Sequence, residues 1–181
     1  LSAFTHEMVH EALHFQSFQS YKVEPSEPNT IRLGFNRVGL ATFGKEDAFF
    51  WRLNELITEE LTRRFWQEFV LPGIEQGSLP RKIKDVAKGL CVLKLPGENR
   101  VVISLGFTYE DDLPEFYKIL KEIYESNQDQ FHSKDDVFDY FARAAMSGRL
   151  LPLARLIEKT YGEGAFRELG ERFGAKRNLQ S

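Results

Sequence analysis

Apolar residues Met8, Val9, Ala12, Leu13 and Phe15 recur with a period near 3.6 and predict a helix over residues 4–18, with Thr5 as a candidate cap near its start. Glu24-Pro25-Ser26-Glu27-Pro28-Asn29 then predicts a loop, because two prolines remove backbone donors and bias the residues before them toward extended geometry. Residues 30–43 mix β-branched and aromatic side chains with Gly34 and Gly39. The turn-like Gly44-Lys45-Glu46-Asp47 and then Ala48-Phe49-Phe50-Trp51 follow, which predicts a hairpin. Leu53, Leu56, Ile57, Leu61, Phe65 and Phe69 form the strongest helical stripe, over 53–69, and Pro72-Gly73 ends it. Short β-prone runs at 90–95 and 101–107 flank Pro96-Gly97-Glu98-Asn99 as a second hairpin. Helices are predicted over 112–126, 133–145, 150–161 and 165–173. Pro114 fits the first turn of the first, Ser133-Lys134-Asp135-Asp136 is an S-x-x-D capping pattern for the second, and Gly162-Glu163-Gly164 separates the last two. The polar tail from Gly174 is expected to fray.

This order of elements predicts an α+β, predominantly helical fold in a single domain over 1–181, with two helices and a connecting hairpin in 1–72 and a hairpin plus a helical part in 73–181. With 42% hydrophobic and 28% charged residues, the 181-residue chain suits one globular domain and excludes a disordered or fibrous class. Its net charge of -3 supplies no basic field for a nucleic-acid backbone, so no nucleic-acid partner is expected. The apolar runs fall far short of the roughly 20 residues that span a bilayer, so no membrane span is expected. Cys91 alone excludes an internal disulfide and a cysteine-rich metal site, and suits a cytoplasmic setting. Leu1 is followed by no lysine-plus-apolar leader, so no intact signal peptide is expected, although a segment trimmed before Leu1 keeps secretion open.

His6-Glu7-Met8-Val9-His10 is an H-E-x-x-H motif. On a helix its four-residue spacing stacks both imidazoles on one face, one turn apart, where two ring nitrogens reach one zinc ion at about 2.0–2.1 Å. Glu7 lies beside them on the helix surface, placed to take a proton from a metal-activated water and deliver it to a leaving nitrogen. Such a site needs a third ligand. His14 shares the histidine stripe, but at 1.5 Å per residue it stands about 12 Å along the axis from His6, so one ion cannot bind both ends of the row. A metzincin would place a histidine six residues after His10, following a glycine, and the chain has Gln16 and Leu13 at those positions. The remaining source is a carboxylate on a second helix, and Asn54-Glu55-Leu56-Ile57-Thr58-Glu59 supplies two.

H-E-x-x-H followed by a helix bearing N-E-x-x-x-D/E resembles the gluzincin metallopeptidases, the thermolysin-like clan. The run from Trp51 to Phe65 is similar to the second active-site helix of poorly characterised prokaryotic zincin-like proteins that read L-N-E-x-x-T-E-x-L-T, and Met146 to Ala154 resembles their C-terminal helical part. The resemblance implies a zincin-like fold, one zinc ion per chain, and a peptide or protein substrate. It makes His6, His10 and Glu55 the zinc ligands and Glu7 the general base. It also makes Glu59, where the family commonly has aspartate, the acceptor of a hydrogen bond from a ligand histidine, and gives Asn54 a structural role beside the ligand glutamate. The 44 residues between His10 and Glu55 exceed the thermolysin connector and leave room for a hairpin. Zincins build a sheet before the H-E-x-x-H helix, and only five residues precede His6, so that sheet is either outside the chain or replaced by segments after His10. The oxyanion donor stays open among His132, Tyr109, Tyr140 and Tyr161.

Two other classes compete. One is a non-catalytic zinc-binding helical interaction module, whose closed site would have four protein ligands; the other is a helical interaction domain in which the motif is accidental. Arg63 and Arg64 read either as a surface pair or as a clamp for a substrate carboxylate, and Cys91 as a small buried hydrophobe.

Overall fold

In the computed structural model the described residues are 2–27, 30–44, 47–70, 72, 73, 76, 91–94, 101–104 and 112–176. In chain order the elements are α1 (Ser2–Gln16), β1 (Gln19–Glu27), β2 (Thr30–Val38), β3 (Ala41–Phe43), β4 (Asp47–Phe49), α2 (Trp51–Phe65), a π-helical turn (Trp66–Val70), β5 (Cys91–Lys94) and β6 (Val101–Ser104). They continue with α3 (Leu113–Ser126), α4 (Lys134–Ser147), α5 (Leu150–Tyr161), α6 (Ala165–Arg172) and β7 (Ala175–Lys176). The fold is α+β and mostly helical. It divides into two units, Leu1–Phe15 with Thr58–Asp111 and Gln16–Ile57 with Asp112–Ser181.

The second unit holds an antiparallel sheet of order β1-β2-β3-β4-β7. Glu24 to Glu27, expected as loop, instead extends β1: Glu24 pairs with Arg32, Pro25 with Ile31 and Glu27 with Thr30, with an irregularity between Pro25 and Glu27. The reason lies in tertiary position. β1 is the edge of the sheet, where a proline forfeits no ladder bond on its open side, and Pro28-Asn29 fall outside the described residues. The expected hairpin over 30–51 is a three-stranded meander, and Trp51 already opens α2. Residues from Gly174 do not all fray, since Ala175 and Lys176 pair with Ala48 and Asp47.

The helices of this unit follow local signals closely. Leu113, Phe116, Ile119, Leu120 and Ile123 form the buried stripe of α3, which carries Pro114 in its first turn. Ser133 Oγ accepts the Asp136 amide at 3.1 Å while Asp136 Oδ2 accepts the Ser133 amide at 3.0 Å, so the capping box forms at α4. Gly148 ends α4 in the left-handed region at φ 74°. Phe116 meets Phe138 and Phe141 edge-on at 6.3 and 5.9 Å, and all three are fully buried. Between β4 and α2, Phe50 holds a positive φ of 58°. Its ring lies against Gly170, where a Cβ would come within 2.7 Å, and 4.7 Å from the ring of Phe166, so packing secures a backbone conformation that an aromatic residue avoids.

The first unit contains most of α1, the last two turns of α2, the π-helical turn and the antiparallel hairpin of β5 and β6. The hairpin runs in register from Cys91 opposite Ser104 to Lys94 opposite Val101, and the expected turn at 96–99 lies outside the described residues. The helix expected over 53–69 changes to π-helical hydrogen bonding at Trp66, whose side chain is buried.

Candidate metal centre

α1 does not bury the apolar stripe that its sequence suggests. Met8 and Phe15 are 56% and 80% exposed, whereas His6 is 5% exposed and Val9, His10, Leu13 and His14 are half-buried. The inward face is therefore the histidine face, with a residue of this set at every third or fourth position.

α2 is unusual in the opposite sense, for it buries polar groups. Asn54, Glu55, Thr58, Glu60 and Thr62 are all buried, on the same helix as the buried apolar Leu53, Leu56 and Ile57. Buried polar atoms require partners. Asn54 Oδ1 accepts the Leu40 amide at 2.9 Å, and Thr62 Oγ1 donates to the Thr58 carbonyl at 2.8 Å. Glu60 accepts from Arg63 Nε at 2.7 Å and from Arg64 Nε at 2.8 Å, and forms a further contact with Arg63. Arg63 and Arg64 are thus engaged by a buried carboxylate on their own helix. The Glu60-x-x-Arg63-Arg64 spacing, at i+3 and i+4, is the signal in the sequence that reveals this cluster.

Glu59 lies against two of the motif histidines. Its Oε2 is 3.2 Å from His6 Nε2 and 3.4 Å from His10 Nδ1. His10 Nε2 in turn lies 3.0 Å from His14 Nε2, with the two rings edge-on at a centroid separation of 4.7 Å. Burial pushes the Glu59 carboxyl up, but the hydrogen bonds with His10 and His6 and the charge on those rings when protonated outweigh it, so the group sits below the usual carboxylate range. It is ionised at neutral pH.

This donor set fits a transition-metal ion. His6, His10 and Glu59 each offer one ligand atom, and the three atoms lie within 4.8 Å of one another. In a tetrahedral site with bonds of about 2.0–2.2 Å the ligand atoms stand roughly 3.3–3.6 Å apart. The 3.2 and 3.4 Å separations about Glu59 Oε2 have that size. Two imidazoles and a carboxylate suit zinc by chemistry as well as by span.

Of the other sequence-predicted residues, Glu7 is exposed on α1, and Glu55 is buried on α2 one turn before Glu59. Asn54 closes the turn at Gly39-Leu40 through its side chain. Tyr109 falls outside the described residues. The remaining oxyanion candidates belong to the second unit: Tyr161 donates to Glu122 at 2.9 Å, Tyr140 meets Phe131 edge-on, and the exposed His132 gives its backbone amide to Asp136. Burial and the Glu122 carboxylate raise the Tyr161 hydroxyl above its ordinary value. Among the described residues, no helix is long and apolar enough to cross a membrane. Comparison of the chain with protein-family models, curated proteins and solved structures gives no match in any of the three.

Proposed function

We propose that the chain is a zinc-dependent metallopeptidase of gluzincin type, in which α1 and α2 act as the two active-site helices of a zincin-like fold. The observation that carries this reading is the convergence of His6, His10 and Glu59, whose ligand atoms lie within 4.8 Å of one another, with both histidines on a helix that reads H-E-x-x-H. These three residues would hold the ion. Glu55, one turn earlier on α2, is the ligand that the family pattern assigns, and the two carboxylates are separable by mutation. When bound, zinc supplies Lewis acidity and brings the pKa of a coordinated water toward about 7.

The chain's own part is proton management and positioning. Glu7 follows His6 directly and is exposed, so solvent and a peptide can both reach its carboxylate. It accepts a proton from the attacking water and returns it to the amine nitrogen of the broken peptide bond. Glu59 supplies negative charge beside the two rings, which favours cation binding.

The test combines metal content with turnover on a peptide library. Purified wild type is expected to carry one zinc per chain, Glu59→Gln to bind it weakly, and Glu55→Gln to bind it better than Glu59→Gln. Glu7→Gln is expected to keep zinc and to lose about 10²–10⁴-fold in turnover. Undiminished hydrolysis by Glu7→Gln would sink the mechanism, and a wild type that takes up no zinc would sink the metal centre.

A further inference from the structure

The H-E-x-x-H motif of α1 is written twice. His10-Glu11-Ala12-Leu13-His14 repeats the pattern of His6-Glu7-Met8-Val9-His10 one turn further along, with His10 closing the first copy and opening the second. The carboxylates of α2 show the same step, since Glu55 precedes Glu59 by one turn. The two steps combine in space. His10, His14 and Glu55 each offer one ligand atom, and these three atoms lie within 4.8 Å of one another, as do those of His6, His10 and Glu59. His10 Nδ1 lies 3.4 Å from Glu59 Oε2, whereas its Nε2 lies 3.0 Å from His14 Nε2, with those two rings edge-on. The shared histidine therefore turns one ring nitrogen to each set.

We infer that His10, His14 and Glu55 form a second position for a divalent transition-metal ion, one helical turn from the first. Two imidazoles and a carboxylate repeat the donor set of the first position, so zinc suits both. The second position shares His10 with the site above but has its own partners, so either can fail alone. A neutral imidazole has one lone pair, so His10 binds through Nδ1 in the first position or through Nε2 in the second, and the chain holds one ion at a time. With the ion in the second position, the His10 hydrogen sits on Nδ1 and faces Glu59, which changes from ligand to the hydrogen-bonded carboxylate behind a ligand histidine. Glu11, exposed and next to His10, stands to the second position as Glu7 stands to the first. Each position uses two adjacent histidines, so the whole row is employed although one ion cannot bind both of its ends.

The experiment uses the full chain with zinc alone and with ¹¹³Cd as a spectroscopic probe. His6→Leu removes a ligand of the first position only, and His14→Leu a ligand of the second only. Under chelator competition His6→Leu is expected to keep one zinc per chain. Adding His14→Leu or Glu55→Gln to His6→Leu is expected to weaken that zinc by at least about 100-fold, while His14→Leu alone, with the first position intact, changes affinity by less than about 10-fold. In ¹⁵N-labelled His6→Leu, cadmium–nitrogen coupling is expected at Nε2 of both His10 and His14. Circular dichroism of the chelator-treated proteins checks folding, and if His6→Leu fails to fold, Glu59→Gln replaces it as the variant that lacks the first position. A folded His6→Leu that takes up no zinc, or whose zinc is indifferent to His14→Leu and Glu55→Gln, overturns the second position and leaves the first standing. Coupling in His6→Leu at His10 Nδ1 without His14 overturns it as well. A wild type that binds neither metal overturns the zinc reading and this inference together.

Discussion

Replacing Gly39 by alanine drives a methyl group into the side chain that anchors the first turn of α2. Gly39 occupies the left-handed region at φ 56°, and a Cβ built there lies 2.1 Å from Asn54 Oδ1 and 3.1 Å from Asn54 Cγ. One of the two groups must move. Asn54 is 2% exposed and its Oδ1 accepts the amide of Leu40, itself 1% exposed, so displacement breaks a buried hydrogen bond where little water can replace it. Left-handed geometry costs alanine about 1 kcal/mol, and the buried amide left unpaired costs about 2 kcal/mol, which gives about 3 kcal/mol for Gly39→Ala. Asn54→Ala removes the same hydrogen bond without strain and is expected to cost about 2 kcal/mol. In the double variant the methyl has room and the lost bond is the same one, so the cost is about 3 kcal/mol rather than about 5. Urea denaturation of the four proteins with chelator present measures this coupling of about 2 kcal/mol. Additive costs, or a Gly39→Ala variant destabilised by less than about 1 kcal/mol, would refute the reasoning.

Glu60→Gln leaves Arg63 and Arg64 without the buried carboxylate that both contact, and is expected to destabilise by about 3–5 kcal/mol, read from the urea midpoint. Ser133→Ala removes the cap of α4 and should cost about 1 kcal/mol in the same assay, with Ser133→Asp close to wild type. Because the folded-state pKa of Glu59 is depressed, its contribution to metal-free stability is present above its unfolded value of about 4.3 and is lost as pH falls through the lower folded value. Glu59→Gln should therefore narrow its stability gap to wild type between pH 7 and pH 3, and a gap independent of pH would contradict the assignment.

The elements readable from sequence are those whose causes are local. The Ser133 capping box and Pro114 in a first turn each act within four residues of the boundary they set, and α3, α4 and α5 begin and end close to the expected positions. What was not legible depends on position in the fold. Pro25 reads as a breaker until β1 is known to be a sheet edge, and Ala175-Lys176 read as tail until β4 offers them a partner. The direction of α1 is the sharper case. Five apolar residues outvote three histidines on any hydropathy count, yet Met8 and Phe15 face outward and His6 is buried. The motif spacing places His6, His10 and His14 on one stripe, but nothing in the sequence states which nitrogen of each ring is used.

A comparison of α2 with α3 separates folding from chemistry. The buried residues of α3 are all apolar, and their burial alone explains the helix. α2 buries Asn54, Glu55, Thr58, Glu60 and Thr62 in two and a half turns, a composition that desolvation penalises and that only specific hydrogen bonds offset. For Asn54, Thr62 and Glu60 those bonds stay within the scaffold, at the Leu40 amide, the Thr58 carbonyl and the two arginines. Glu59 is different in kind. Its partners are His6 and His10, rings whose nitrogens bind protons and metal ions interchangeably, so the interaction that compensates its burial can be exchanged for a cation without loss of charge balance. A carboxylate held by arginines is fixed in one state, whereas a carboxylate held by histidines can release them to a metal.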